Sequence, residues 1–169
     1  MRPVASPALH LRRARVDDCG ALTELALGSK ASNGYDEVFM AACAAELTVD
    51  AATLAAGETW LAEDSAGCVL GFFDLRVEAG RAEAGRAEAG LAEVGAFFVA
   101  PAAKRRGIGR LLWDRLEARA AALGAARITI DSDPEARPFY EAMGAVLIGD
   151  SPSASIPGRR LPRLEKRLV

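Results

Sequence analysis

From Val99 to Leu112 the chain reads Val-Ala-Pro-Ala-Ala-Lys-Arg-Arg-Gly-Ile-Gly-Arg-Leu-Leu: the end of a strand, a basic loop and the start of a helix. Lys104, Arg105 and Arg106 bring positive charge, and Gly107 and Gly109 carry no Cβ, so an anion can approach the backbone closely. The first N–H groups of a helix have no partner within it and sit at the positive end of its dipole. Together these features predict a cradle for a diphosphate. The competing reading is a tight loop with solvated basic side chains. No Gly-Lys-Ser/Thr follows the glycines, so this is not a P-loop. The early strand followed by Gly-x-Gly-x-x-Gly is also missing, so it is not a dinucleotide fingerprint.

The elements that must position this loop follow from periodicity and punctuation. Leu9–Arg15 predicts a first strand, and Asp17 or Asp18 a cap for a helix to about Ser29, with Leu22, Leu25, Ala26 and Ser29 on one side. Ser32-Asn33-Gly34 is a break, and Asp36–Leu47 is a second helix that lines up Phe39, Met40, Cys43, Ala44 and Leu47. Thr59–Glu63 and Cys68–Val77 are strands about a turn at Asp64–Gly67. Residues 78–90 repeat Arg-Ala-Glu-Ala-Gly. Glycine at every fifth position does not fit a helix, and little there is apolar, which predicts an exposed loop inside a single domain of residues 1–169. Ala92–Ala100 is a strand, Arg110–Leu123 an amphipathic helix closed by Gly124, and Arg127–Asp131 a strand. A helix after Pro134 carries Phe139, Tyr140 and Met143 and stops at Gly144; strands Ala145–Ile148 and Leu164–Val169 finish the chain. This order predicts an α/β or α+β domain around a mixed sheet.

Composition excludes several classes. Lys+Arg number 21 and Asp+Glu 23, a formal net charge of -2, which argues against a nucleic-acid coat or a polybasic membrane anchor. Three basic residues at 104–106 are too small a footprint for nucleic acid. Hydrophobic residues at 51% rule out a wholly disordered chain. Cys19, Cys43 and Cys68 are widely spaced and His10 is the single histidine, so no disulfide framework, metal cluster or Cys–His nucleophile is expected. No apolar run approaches the ~20 residues that span a bilayer. Arg2, Pro3 and Pro7 precede no apolar leader, so the expected setting is cytoplasmic.

Lys104-Arg105-Arg106-Gly107-Ile108-Gly109 resembles motif A of the GCN5-related N-acetyltransferases, Gln/Arg-x-x-Gly-x-Gly/Ala, with Lys104 at the first position. Asp133-Pro-Glu-Ala136-Arg-Pro-Phe139-Tyr140-Glu141-Ala-Met143-Gly144-Ala145 resembles the family's Asn-x-x-Ala-x-x-Phe-Tyr-Glu-x-x-Gly-Phe, with Asp133 for Asn and Ala145 for Phe. Ser29-Lys30-Ala31 with Gly34-Tyr35, and Ile156-Pro-Gly-Arg-Arg-Leu-Pro-Arg-Leu164, are similar to a bacterial subgroup without an assigned substrate; Asn33 stands where many members have Trp. The resemblance covers essentially the whole chain. It implies a mixed, mostly antiparallel sheet of six to seven strands flanked by about four helices, with splayed central parallel strands.

It also implies acetyl-CoA as cofactor and direct transfer of the acetyl group to a primary amine of a small molecule or peptide. The pyrophosphate would meet the 104–110 loop, with Arg110, Asp133, Ala136 and Phe139 also at the cofactor. The thioester oxygen would meet a backbone N–H near Phe98 or Val99. Tyr140 is the matched general acid at the sulfur, the alternative being a tyrosine satisfied at the core edge. Glu93 is the candidate base, directly or through water, with Asp131 and Asp133 as alternatives and an ordinary solvent-facing role as the competing reading. Tyr35, Phe39, Asp131 and Arg159 are expected at the acceptor, with Trp60, Arg160, Ser153 and Ser155 as weaker candidates; core packing is the favoured reading of Phe39 and Trp60, and solvated loop residues the equal alternative for Arg159 and Arg160. Family members often pair through late strands, so a homodimer would be sought at Leu161–Val169. Rival readings are a larger acyl-CoA and a non-catalytic CoA-binding module.

Overall fold

The structure is a computed structural model describing residues 8–80, 82–83 and 86–168. The stretch read above as lacking a leader (through Pro7), together with Arg81, Ala84 and Gly85 of the repeat and the terminal Val169, lies outside these residues. The chain runs β1 (His10–Arg13), α1 (Cys19–Ala31), α2 (Glu37–Leu47), α3 (Ala51–Ala56), β2 (Glu58–Glu63), β3 (Val69–Glu78), β4 (Ala82–Glu83), β5 (Arg86–Ala87) and β6 (Gly90–Val99). It continues through α4 (Ile108–Ala122), β7 (Ala125–Asp131), α5 (Arg137–Ala142), β8 (Val146–Pro152) and β9 (Arg160–Arg167). Seven strands make one sheet in the order β1-β2-β3-β6-β7-β9-β8. Only β6 and β7 are parallel neighbours; every other adjacent pair is antiparallel. This is the mixed, mostly antiparallel sheet expected. Within the repeat, β4 and β5 pair with each other as a separate two-stranded ribbon.

Side chains that alternate across a strand feed two cores, one on each face of the sheet. Phe73 and Phe97 pack towards α4 and α5 with Trp113, Leu116 and Tyr140. Phe72 and Phe98 pack towards α1 and α2 with Leu22, Leu25 and Cys43. The buried side of α1 is Leu22, Leu25, Ala26 and Ser29, the set that helical spacing predicts. Asp36 caps α2, its side chain accepting from the Phe39 N–H at 2.8 Å.

The sequence reading passed over α3, although Asp50 marks its start by accepting the Thr53 N–H at 2.8 Å. The last two strands are longer than expected. Main-chain pairing carries Ser151 opposite Leu161 and Pro152 opposite Arg160, so polar residues that read as a connection extend the hairpin. β9 lies between β7 and β8, so Leu161–Arg167 offers no free edge for a second copy; the open edge on that side is β8. No helix of the described residues is long and apolar enough to cross a membrane.

The feature that makes a site is the parting of β6 from β7. Their pairing ends at Val94 opposite Ile130, yet β6 continues to Val99. The β3–β6 register also shifts here, between Asp74 and Leu75, which places a bulge at Gly95. A bulge bends its strand. The gap so formed is the expected splay of the central parallel strands.

Candidate active site

The gap opens into a cleft of about 1260 Å³. Small-molecule pockets run to roughly 300–1,000 Å³, so this cleft is larger than most. One end lies against Val99, Lys104, Arg105, Gly107, Gly109 and Arg110. The other reaches Thr59, Asp74, Arg76 and Gly95.

The 104–110 loop closes on the first turn of α4. Gly107 is the N-cap residue, at φ 81°, and no side chain caps the helix. The first-turn N–H groups are therefore left for a ligand or solvent. Arg105 also takes left-handed backbone, φ 62°, a conformation used in anion-receiving turns. The two glycines serve different needs. A Cβ at Gly107 would meet nothing within 4 Å, so its requirement is the left-handed φ. A Cβ on Gly109 would come 3.1 Å from the Phe139 ring, so that glycine admits α5 against α4. Gly107→Ala is expected to cost about 1–2 kcal/mol of stability through backbone strain alone, measured by denaturant unfolding.

Of the residues expected at the cofactor, Phe98, Val99, Lys104, Arg105, Gly107, Gly109, Arg110, Asp133, Ala136 and Phe139 line the cleft. Arg106 is exposed and away from it. The Ile108 side chain is core, 1% exposed, so only its backbone faces the loop. Lys104 Nζ donates to Ser32 Oγ at 3.0 Å, bridging the mouth of the cleft to the end of α1. Strand alternation separates the amides of Phe98 and Val99. Ala100 N–H donates to Leu70 O at 2.8 Å, and antiparallel ladders alternate bonded and non-bonded pairs. Phe98, opposite Phe72, is thus committed to the ladder, while the amides of Phe97 and Val99 face the gap.

Tyr140 lines the cleft and is 4% exposed. Its ring meets Phe139, Trp113 and Phe97 at centroid distances of 5.3, 5.7 and 5.9 Å. No hydrogen bond joins its hydroxyl to another described residue. Burial, and then the charge of Asp133, push the phenol well above its ordinary pKa, so it keeps its proton.

The acceptor-side expectations need correction. Glu93 does not line the cleft: its side chain is 58% exposed and lies 3.9 Å from Arg163, which also holds Asp131. Trp60 sits on the α4 face under Arg115 and Arg119, with cation-to-ring distances of 4.8 and 6.0 Å. Arg160 pairs with Asp150 at the β8–β9 hairpin. Ser153 lines the cleft but its Oγ accepts from Ile156 N–H at 3.2 Å; Ser155 does not reach it. Asp131 lines the cleft and is held by Arg163 at 2.9 Å.

Tyr35, Phe39 and Arg159 do meet, but around Asp133. Tyr35 stacks on Phe39 with ring centroids 3.9 Å apart. Asp133 Oδ2 accepts from Lys30 Nζ at 2.6 Å and from Tyr35 Oη–H at 2.9 Å, and Arg159 lies 3.7 Å away. Arg159 Nη2 in turn donates to Tyr35 Oη at 2.7 Å. Asp133 Oδ1 accepts the Glu135 N–H at 3.0 Å. Both carboxylate oxygens are thus engaged by protein, although Asp133 still lines the cleft. Burial works to raise its pKa, but Lys30 and the Glu135 N–H hold it below the usual carboxylate range. Tyr35 and Phe39 stand behind Lys30 and Arg159 as supports and do not line the cleft themselves.

The sequence reading missed Asp74. It lines the cleft, is 2% exposed, and accepts from Thr59 Oγ–H at 3.0 Å. Burial raises its pKa, against the Thr59 hydrogen bond and the charge of Arg76. The available signal was an acid within the apolar run Val69-Leu-Gly-Phe-Phe-Asp-Leu75.

A family profile described as an acetyltransferase (GNAT) domain matches residues 35–154. Among solved structures, a GCN5-related N-acetyltransferase from Rhodopseudomonas palustris superposes with a TM-score of 0.71 at 24% identity, covering 99% of both chains. The PaiA N-acetyltransferase of Thermoplasma acidophilum, solved with coenzyme A, gives 0.71 at 16% identity over 95% of this chain and 99% of its own. A GCN5-related N-acetyltransferase from Kribbella flavida gives 0.64 at 24% identity over 95% and 98%. At these identities the likeness is one of fold. No curated protein matches the sequence. With the profile spanning more than half of its residues, the chain belongs to the GNAT family of acetyltransferases.

Proposed function

We propose that the chain transfers an acetyl group from acetyl-CoA to a primary amine of a small molecule or peptide, by direct attack with both substrates in the cleft. The observation that carries this reading is the uncapped N-terminus of α4, with left-handed Gly107, opening onto the gap between β6 and β7. Its free amides suit a diphosphate, and Lys104, Arg105 and Arg110 around them add positive charge. The coenzyme A bound by the Thermoplasma relative supports the same ligand class. When bound, acetyl-CoA supplies an activated acyl group as a thioester.

The chain's own groups fit the rest of the chemistry. With its ring beside that of Tyr140, and one residue from the partner of Asp74, Phe97 turns its amide to the gap, as Val99 does. It is placed to donate to an oxygen that gains negative charge during acyl transfer. The Tyr140 hydroxyl, protonated throughout the neutral range, is the proton donor for a departing thiolate. Phe98 and Phe139 keep the reacting region apolar, which strengthens these dipoles.

Calorimetric titration of acetyl-CoA into ligand-free protein tests the reading. Binding in the micromolar range at one per chain is expected, with acetylation of amines then followed by thiol release. No heat at two temperatures, from folded protein shown to be free of CoA, overturns it.

A further inference from the structure

The most buried carboxylate lining the cleft is that of Asp74. Two segments are shaped around it. A Cβ on Gly95 would stand 2.7 Å from Asp74 Oδ2, and one on Gly57 would stand 3.0 Å from Oδ1. Gly95 is the bulge where β6 leaves the register, so the same distortion that parts β6 from β7 makes room for this acid. Thr59 Oγ–H fixes Oδ1 at 3.0 Å and the Leu75 N–H also favours the carboxylate, whereas among the described residues no side chain donates a hydrogen bond to Oδ2. The nearest cation, Arg76 Nε, is 3.9 Å away and its side chain is 57% exposed. Glu46 and Asp50 line the same end of the cleft and add negative charge. A carboxylate this buried and this lightly paired is costly to keep. Groups with such environments concentrate where proton transfer is needed.

Resting on the acetyl-transfer reading above, we propose that Asp74, not Glu93, is the catalytic base that prepares the acceptor amine. The acceptor enters as a primary ammonium, drawn by the carboxylates of Asp74, Glu46 and Asp50. One N–H bond breaks, its electron pair stays on nitrogen, and the proton passes to Asp74 Oδ2, directly or through one water. The nitrogen pair then forms the C–N bond as the C–S bond breaks and its pair leaves with sulfur. Tyr140 gives its proton to the sulfur, the second proton lost by nitrogen passes through water to the Tyr140 oxygen and restores the phenol, and Asp74 returns its proton to solvent.

Three variants test this, with acetyl-CoA and a panel of an alkylamine, an amino-acid amide and a tripeptide with a free N-terminus. Asp74→Asn fits the same cradle. It is expected to bind acetyl-CoA as the unmodified chain does while its kcat/KM falls by at least about 100-fold, with the acid limb of the pH profile gone. Thr59→Val removes the hydrogen bond that favours the carboxylate, so the acid limb should move to higher pH with the plateau rate largely kept. Glu93→Gln should change neither. Asp74→Asn within threefold of the unmodified chain, or a Thr59→Val profile that does not move, overturns the assignment. An acceptor-independent check is 13C NMR of the aspartate carboxyls: a signal, absent in Asp74→Asn, that titrates at or below pH 4 also overturns it. Loss of acetyl-CoA binding in the unmodified chain would instead sink the acetyl-transfer reading itself.

Discussion

Tyr140→Phe is expected to lower kcat by about 100- to 1,000-fold while leaving acetyl-CoA affinity and fold stability close to those of the unmodified chain. The separation follows from the way the side chain is held. Its ring packs against Phe97, Trp113 and Phe139, and those contacts survive the loss of one oxygen. The hydroxyl makes no hydrogen bond to a described residue, so its removal orphans no buried partner and forfeits little stability. A rate loss with intact binding therefore reports proton donation at the leaving sulfur. Steady-state kinetics beside calorimetry measures both. A variant that keeps its rate would return Tyr140 to the role of a core-edge ring.

Asp133→Ala is expected to destabilise the fold by about 3 kcal/mol, the typical effect of stripping one partner from a buried ionic cluster. Lys30, Asp133 and Arg159 have side chains 13%, 12% and 18% exposed. Without the carboxylate, two cations would face each other across the Tyr35–Phe39 stack with nothing between them to neutralise either. The β7–α5 turn would also lose its bond to the Glu135 N–H. Asp133→Asn keeps the shape and an acceptor but not the charge, so a smaller loss is expected. The pH dependence has a definite sign. The Asp133 pKa is depressed in the folded chain. Its contribution is therefore fully present above the unfolded value of about 4 and is lost as pH falls through the lower folded value. Urea unfolding of both proteins should show the gap at pH 7 narrowing below pH 4. A gap that is constant with pH would mean that the charge is not what stabilises the cluster.

The Asp133 cluster also accounts for sequence features that local reading leaves scattered. Ser29-Lys30-Ala31, Gly34-Tyr35 and Ile156-Pro-Gly-Arg159 belong to three segments, and all three deliver a side chain to one carboxylate. An aspartate in place of asparagine at 133 is what two nearby cations require. The cluster fastens the end of α1, the β7–α5 turn and the β8–β9 connection together along one side of the cleft.

What the sequence by itself determined is whatever rests on short-range periodicity and backbone chemistry. Helical spacing placed the buried side of α1. Alternating apolar residues placed most strands to within a few positions, and the two glycines with their basic neighbours marked the start of α4. Each of these depends on neighbours within a turn or two of chain. Only the tertiary structure decided which acids enter the cleft. Glu93 and Asp74 both lie on central strands, but Asp74 is buried at the cleft and Glu93 is exposed, a difference set by what packs over each of them. Trp60, read as core packing before pocket lining, does pack on the α4 face, and its place in β2 gives its ring to Arg115 and Arg119. Asp133 and Lys30 stand 103 positions apart and are joined by a 2.6 Å contact. The burial, charge pairing and proton affinity of these groups are set by residues distant in sequence, and folding alone brings those residues within range.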